Sequence, residues 1–249
     1  MIKNVLIIAN PGENGAENYC EGVLKDIENY CEYFKSAIGG AWLASEIKTL
    51  LKPTKDELQQ SLYSIRNNDY SVVVFSGHGY YSSELFTTVL ELKKDEYFSS
   101  EALRNTLTKG IVILDCCRKV HPKTAISFTE SLKKSARLSR INLEECRRYY
   151  EKEISECQDT KVILNSCSIG QVARDDSQLG GLYSFNLLRS AQNWADNDTT
   201  DTSKRYGIFS IAMAHEEAKS KVMQLTNSLQ VPVIEKPREG KYFPFAINA

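Results

Sequence analysis

The 249-residue chain sets 31 Lys and Arg against 32 Asp and Glu, a net charge of −1, with 42% hydrophobic residues. That balance is globular; it excludes a disordered chain and offers no global field to nucleic acid or to an anionic membrane surface. The seven cysteines are odd in number and contain no Cys-x-x-Cys pair. Neither a disulfide framework nor a zinc site follows from them, and reduced thiols in a cytoplasmic protein are expected.

In chain order, Asn4–Ala9 reads as a buried first strand. The run is too short for a secretion signal and passes directly into the turn residues Asn10-Pro11-Gly12. No run reaches membrane-spanning length. Cys20, Val23, Leu24, Ile27, Tyr30, Cys31 and Phe34 recur at helical spacing. Ile47, Thr49 and Leu51 alternate as a short second strand before Pro53, and Thr54-Lys55-Asp56-Glu57 is a capping box opening a helix through Leu62 and Ile65.

Two strand-length apolar runs then end on reactive side chains: Val72-Val73-Val74-Phe75 leads into Ser76-Gly77-His78-Gly79, and Ile111-Val112-Ile113-Leu114 into Asp115-Cys116-Cys117. Between them lie a polar, aromatic stretch from Tyr80 to Phe98, expected to form a hairpin or an excursion, and a helix begun by Ser99-Ser100-Glu101. If the two strands are parallel neighbours, an imidazole and a thiol emerge together at the carboxyl edge of the sheet, where open α/β folds build their sites. A thiol needs such an imidazole to act as a nucleophile at neutral pH.

A basic-rich insertion spans about residues 118–160, with Asn142 capping a helix over Cys146, Tyr150 and Ile154. Lys161–Ser166 is a fifth strand, Gly180-Gly181 opens a helix through Leu188, and Ala195–Arg205 is a solvated loop. A last helix covers about Ile208–Leu225. Tyr242–Ile247 is expected as a sixth strand, at the sheet edge because Pro244 lies inside it. The alternation predicts one α/β domain with a mostly parallel sheet between two helix layers.

Phe75-Ser76-Gly77-His78-Gly79 and Leu114-Asp115-Cys116-Cys117, in this order, resemble the two signature segments of the caspase–metacaspase family of cysteine peptidases. Leu164-Asn165-Ser166-Cys167 with Gly180-Gly181-Leu182-Tyr183-Ser184 resembles the next strand and helix of that family, and Val231-Pro232-Val233 with Phe243-Pro244-Phe245 resembles its closing strand. The resemblance is nearer to the prokaryotic metacaspase-like branch. It implies a three-layer αβα sandwich around a mostly parallel six-stranded sheet, one peptidase domain over residues 1–249 and a dyad of His78 and Cys117. It also implies an oxyanion site from the backbone N–H groups of Gly79 and Cys117, and a substrate pocket at Asp26, Ser76 and Asp115. Carboxylates there favour Lys or Arg before the scissile bond through charge-assisted hydrogen bonds. Protein or peptide substrates are implied, with a pore-forming effector and a role in prokaryotic defence or regulated cell death among the expectations. Arg118-Lys119 replaces the His-Ser usual after the nucleophile, and no acidic cluster corresponds to the calcium site of the family. No metal, cofactor, nucleic acid or membrane is expected.

Each of these residues also has a plainer reading. Cys116 and Cys117 can both be small buried hydrophobes, and only one of two neighbours on a strand can face His78. Arg118 either lowers the thiol pKa or points to solvent. Cys20, Cys31, Cys146, Cys157 and Cys167 are expected as packing, and His121 and His215 as loop and helix-face residues. Asp175-Asp176 reads as a solvated pair, or as a second specificity contact. Lys133–Arg140 reads as a solvated basic stretch, or as a self-processing site. A catalytically silent binding module is the competing function. A different thiol hydrolase is disfavoured because no Gly-x-Cys-x-Gly elbow occurs.

Overall fold

The structure is a computed structural model and describes residues 1–120, 142–197 and 205–249. In chain order the first elements are β1 (Lys3–Asn10), α1 (Gly22–Lys35), β2 (Ile47–Leu51), α2 (Lys55–Ile65), β3 (Tyr70–Gly77), β4 (Gly79–Ser82), β5 (Thr87–Lys93), β6 (Glu96–Ser99), α3 (Ser100–Thr106) and β7 (Gly110–Cys116). Then come α4 (Leu143–Glu156), β8 (Lys161–Asn165), β9 (Asp175–Asp176), β10 (Gly180–Gly181), α5 (Leu182–Asn197), β11 (Gly207–Ser210), α6 (Ile211–Leu225), β12 (Val233–Glu235) and β13 (Pro244–Asn248).

The apolar runs assemble into one six-stranded sheet in the order β12-β8-β7-β3-β1-β2. Its first five strands in sequence run parallel to their neighbours, and only β12 pairs antiparallel, on β8. Successive side chains of a strand point to opposite faces, and both faces here are apolar. Val72, Val74, Ile111 and Ile113 face a core shared with α1, α4, α5 and α6. Val73, Phe75, Val112, Leu114 and Cys116 face a smaller core with α2 and α3. Each fully buried aliphatic side chain contributes about 1.5–3 kcal/mol, so continuous apolar strands sandwiched between helices are the stable solution.

Several local signals act as read. Thr54 and Glu57 form the reciprocal capping box, with Thr54 N donating to Glu57 Oε2 at 2.7 Å and Glu57 N to Thr54 Oγ1 at 3.1 Å. Asn142 Oδ1 accepts from Glu145 N at 3.2 Å and starts α4, whose Cys146, Tyr150 and Ile154 are buried. The stretch after His78 is the three-stranded antiparallel sheet β4-β5-β6.

The closing elements differ from expectation. The sixth strand of the main sheet is β12, not Tyr242–Ile247. The terminal segment instead makes β13, paired antiparallel with β11 in a separate two-stranded sheet. Pro244, which lacks the N–H a central strand needs, sits beside the register irregularity of that pair. Residues expected at the start of the last helix form β11, and α6 begins only at Ile211, where Ser210 Oγ accepts from Met213 N at 3.3 Å. Helix α1 begins at Gly22, so Cys20 precedes it, and Leu24 is exposed rather than core. Helix α5 runs on to Asn197, into the start of the expected Ala195–Arg205 loop. Lys133–Arg140 and His121 lie outside the described residues.

The turn that launches His78 needs glycines on both sides. Gly77 has φ +148°, and a Cβ on it would fall 2.3 Å from the carbonyl oxygen of Asn10 on the neighbouring strand. A Cβ on Gly79 would meet Cys116 Sγ and Val89 O, each at 2.9 Å. Gly77→Ala is therefore expected to destabilise the fold by about 1–3 kcal/mol, the scale of an overpacked site. Urea unfolding of the variant beside wild type measures it, and an unchanged midpoint contradicts the reading.

Candidate active site

The register of β3 on β7 builds the site. Ser76 lies beside Asp115, and Gly77 beside Cys116. Ser76 and Asp115 continue the series of Val74 and Ile113, so they share the face covered by α1 and α5. Cys116 continues the opposite series and is buried with Leu114 and Phe75 against α2 and α3. His78 and Cys117 are each the first residue past the end of their strand, at the same carboxyl edge of the sheet. Both are half-buried.

The three expected pocket residues do come together. Asp26 projects from α1 and accepts from Ser76 Oγ at 2.5 Å and from Gly181 N at 2.9 Å. Asp115 Oδ2 accepts from Ser184 N at 3.0 Å. The two carboxylates thereby satisfy donors at the start of α5, where the helix dipole also favours negative charge. They are deep: Asp26 is 1% exposed, Ser76 2% and Asp115 5%. Burial pushes both carboxyls above the ordinary range, and the charge of Asp115 raises Asp26 further.

Asp175 is the acid closer to the opening. It is half-buried, and its Oδ2 accepts from Gly22 N at 3.0 Å. Burial raises its pKa; the Gly22 bond and the neighbouring His78 oppose the rise. Asp175 is thus not a solvated charge, as the default reading had it, but part of the acidic wall with Asp26 and Asp115.

The thiols separate clearly. Burial holds Cys116 well above the ordinary thiol pKa, and its side chain faces the core. Cys117 Sγ contacts the carbonyl oxygen of Ala173 at 3.7 Å. Burial pushes its pKa up, Asp115 and Asp175 add to that, and Lys119 opposes it. Arg118 neither points to solvent nor acts first on this thiol. It is 8% exposed, with Nε donating to Thr88 Oγ1 at 3.0 Å and an NH donating to Cys167 O at 3.3 Å, which ties β5 to the loop after β8.

Sequence reasoning missed Cys20. Read as a helix-face residue, it lies in the loop before α1 with its Sγ 3.8 Å from His78 Nε2 and 4.0 Å from Nδ1. Burial is the main cause holding its thiol up, at a pKa of about 12. No side-chain cap marks the start of α1 at Gly22, so the apolar spacing carried the reading past the true helix start. The remaining cysteines pack: Cys146, Cys157 and Cys167 are buried, and Cys31 borders the larger core. His215 is buried on α6, its Nδ1 2.8 Å from the Tyr183 hydroxyl. Among the described residues no three His, Cys, Asp or Glu side chains gather in a metal-holding arrangement.

Comparison with curated proteins gives no match. The sequence family described as the caspase domain matches residues 2–243, which takes in every strand of the main sheet, His78, Cys117 and the acidic wall between α1 and α5. With its mostly parallel six-stranded sheet layered by helices, the chain belongs to the caspase-domain family of cysteine peptidases.

Proposed function

We propose that the chain is a cysteine endopeptidase in which His78 and Cys117 form the catalytic dyad and cleavage follows Arg or Lys. The observation that carries this reading is the β3–β7 register, which brings the His and Cys strand ends to one edge with Ser76 and Asp115 side by side beneath them. His78 takes the proton of Cys117, and the thiolate sulfur bonds to the peptide carbonyl carbon. The carbonyl π electrons move onto oxygen, held by the N–H groups of Gly79 and Cys117; each such donor contributes about 2.7–4 kcal/mol to the transition state. The C–N bond breaks as His78 returns the proton to the amine, and water then hydrolyses the thioester.

The resting geometry adds a step. The imidazole contacts Cys20 and the Cys117 thiol contacts Ala173 O, so substrate entry brings ring and thiol together. Catalytic contacts commonly tighten only in the substrate complex. The acids Asp26, Asp115 and Asp175 support the preference for a cationic side chain. The seven unpaired cysteines support a reducing, cytoplasmic setting. A defence role with a pore-forming effector as substrate rests on the resemblance to prokaryotic relatives.

The contacts of His78 with Cys20 and of Cys117 with Ala173 O favour one competing reading, a catalytically silent caspase-like module that regulates partners. Fluorogenic peptides ending in Arg, Lys or Asp, each assayed with and without calcium, decide between them. Turnover of Arg- and Lys-ending peptides above Asp-ending ones is expected. Faster cleavage after Asp overturns the specificity, and no turnover under any condition establishes the silent module.

A further inference from the structure

The His78 imidazole is seated against a loop, residues 11–21, that belongs to neither of the strands presenting the dyad. Gly12 lies so close that a Cβ on it would fall 2.7 Å from His78 Nε2, and its φ of +90° is one that a side chain rarely adopts. Cys20 touches the same ring nitrogen at 3.8 Å. The loop is bound internally by Cys20 N to Pro11 O at 2.8 Å and Gly12 N to Asn10 Oδ1 at 3.0 Å. Its far end is held by Gly22 N on Asp175.

A further tie comes from outside. Lys52, just past β2, donates from Nζ to the Gly12 carbonyl at 3.1 Å and pairs with Glu13 at 2.6 Å. Its own N–H donates to Ala9 O at 2.8 Å. Lys52 has φ +50°, a left-handed conformation that is strained for a non-glycine residue. That conformation accompanies an ammonium set against Gly12, whose backbone abuts the imidazole.

The ion pair itself contributes little to stability, because both side chains are partly exposed. Its geometry bears instead on where Gly12 sits, because the same ammonium donates to the Gly12 carbonyl. Misplacing a reacting group by about 1 Å can cost on the order of 10²-fold in rate, so a tie that melting barely registers can be large in kcat.

We propose that Lys52 is a positioning residue for the His78 imidazole, acting through the Gly12 carbonyl and Glu13; this rests on His78 being the catalytic base. Lys52→Met is expected to lower kcat on an Arg-ending peptide by about 10-fold with KM changed by less than about 2-fold. The acidic limb of its kcat–pH profile is expected to shift, with the melting temperature unchanged. Lys52→Arg, which keeps a donor, is expected to recover kcat to within about 3-fold of wild type. Wild-type kcat and pH profile in Lys52→Met overturn the proposal, as does a loss that follows melting temperature and is not rescued by arginine.

Alkylation of Cys117 by iodoacetamide across pH, located by mass spectrometry, separates this from failure of the dyad reading. A profile moved by both His78→Ala and Lys52→Met supports the proposal. One moved by His78→Ala alone overturns the role of Lys52, and one moved by neither overturns the dyad and this proposal with it.

Discussion

Cys117→Ala and His78→Ala are each expected to lower kcat/KM on an Arg-ending peptide by at least about 10³-fold, the scale on which single members of a nucleophile–base pair act. Neither side chain is part of the two apolar cores, so melting temperatures are expected to stay near wild type. Cys116→Ala is the informative contrast. Its thiol fills the core under α2 and α3, so a stability loss on the order of 1 kcal/mol is expected with turnover retained. Cys20→Ala is expected to retain the nucleophile. Labelling with an Arg chloromethyl ketone and mapping the adduct checks the assignment directly; an adduct on Cys20 or Cys116 overturns it.

Asp115→Asn is expected to weaken Arg-ending peptides by about 30-fold or more, about 2 kcal/mol, the lower end of the range for removing one partner of a buried charge pair. Asparagine keeps an oxygen for the Ser184 N–H, so the start of α5 retains that acceptor. The pH dependence carries a sign. Asp26 and Asp115 are held above the ordinary range, chiefly by burial, whereas in the unfolded chain they titrate near about 3.9. Raising the pH therefore strips protons from the unfolded chain first. The contribution of the pair to stability is full below the unfolded value and is lost as pH rises through the raised folded values. A bound cationic side chain favours the ionised pair, so binding releases protons, and KM for an Arg-ending peptide is expected to fall as pH rises through that window. Urea midpoints and KM measured over the same pH series test both slopes, which Asp115→Asn flattens. An unchanged KM in that variant, with the loss appearing instead in Asp175→Asn, transfers the specificity role to the outer acid.

Most of the sheet was legible because its strands are short apolar runs with unambiguous ends. Val72–Phe75 and Ile111–Leu114 are buried on both faces, and such runs have few other places to go. The capping pairs Thr54–Glu57 and Asn142–Glu145 fixed two helix starts for the same reason: the bonds are local. The closing strand was misassigned because Val233–Glu235 is a three-residue element whose partner lies near residue 165, a pairing that no local pattern records. Tyr242–Ile247 has the stronger strand signal and is indeed a strand, but tertiary context pairs it with β11.

At the site, the strand ends alone pointed to His78 and to one of Cys116 and Cys117; the choice of Cys117 and the grouping of Ser76 with Asp115 came from the family resemblance. Asp26 came from the same resemblance, through its first-helix motif. Cys20 and Lys52 were not readable, since their positions follow from how one loop folds across a neighbouring strand end. The burial of Asp26 and Asp115 was equally hidden, as it depends on α5 docking over them.

That docking has a consequence for how a substrate is sensed. The first turn of α5 draws on the same two carboxylates that a bound arginine would need, through Gly181 N and Ser184 N. Under the proposed specificity a guanidinium would share these oxygens with the helix that packs against α6. If an arginine enters as proposed, its binding and the seating of the α5 N-terminus are therefore linked through Gly181 N and Ser184 N.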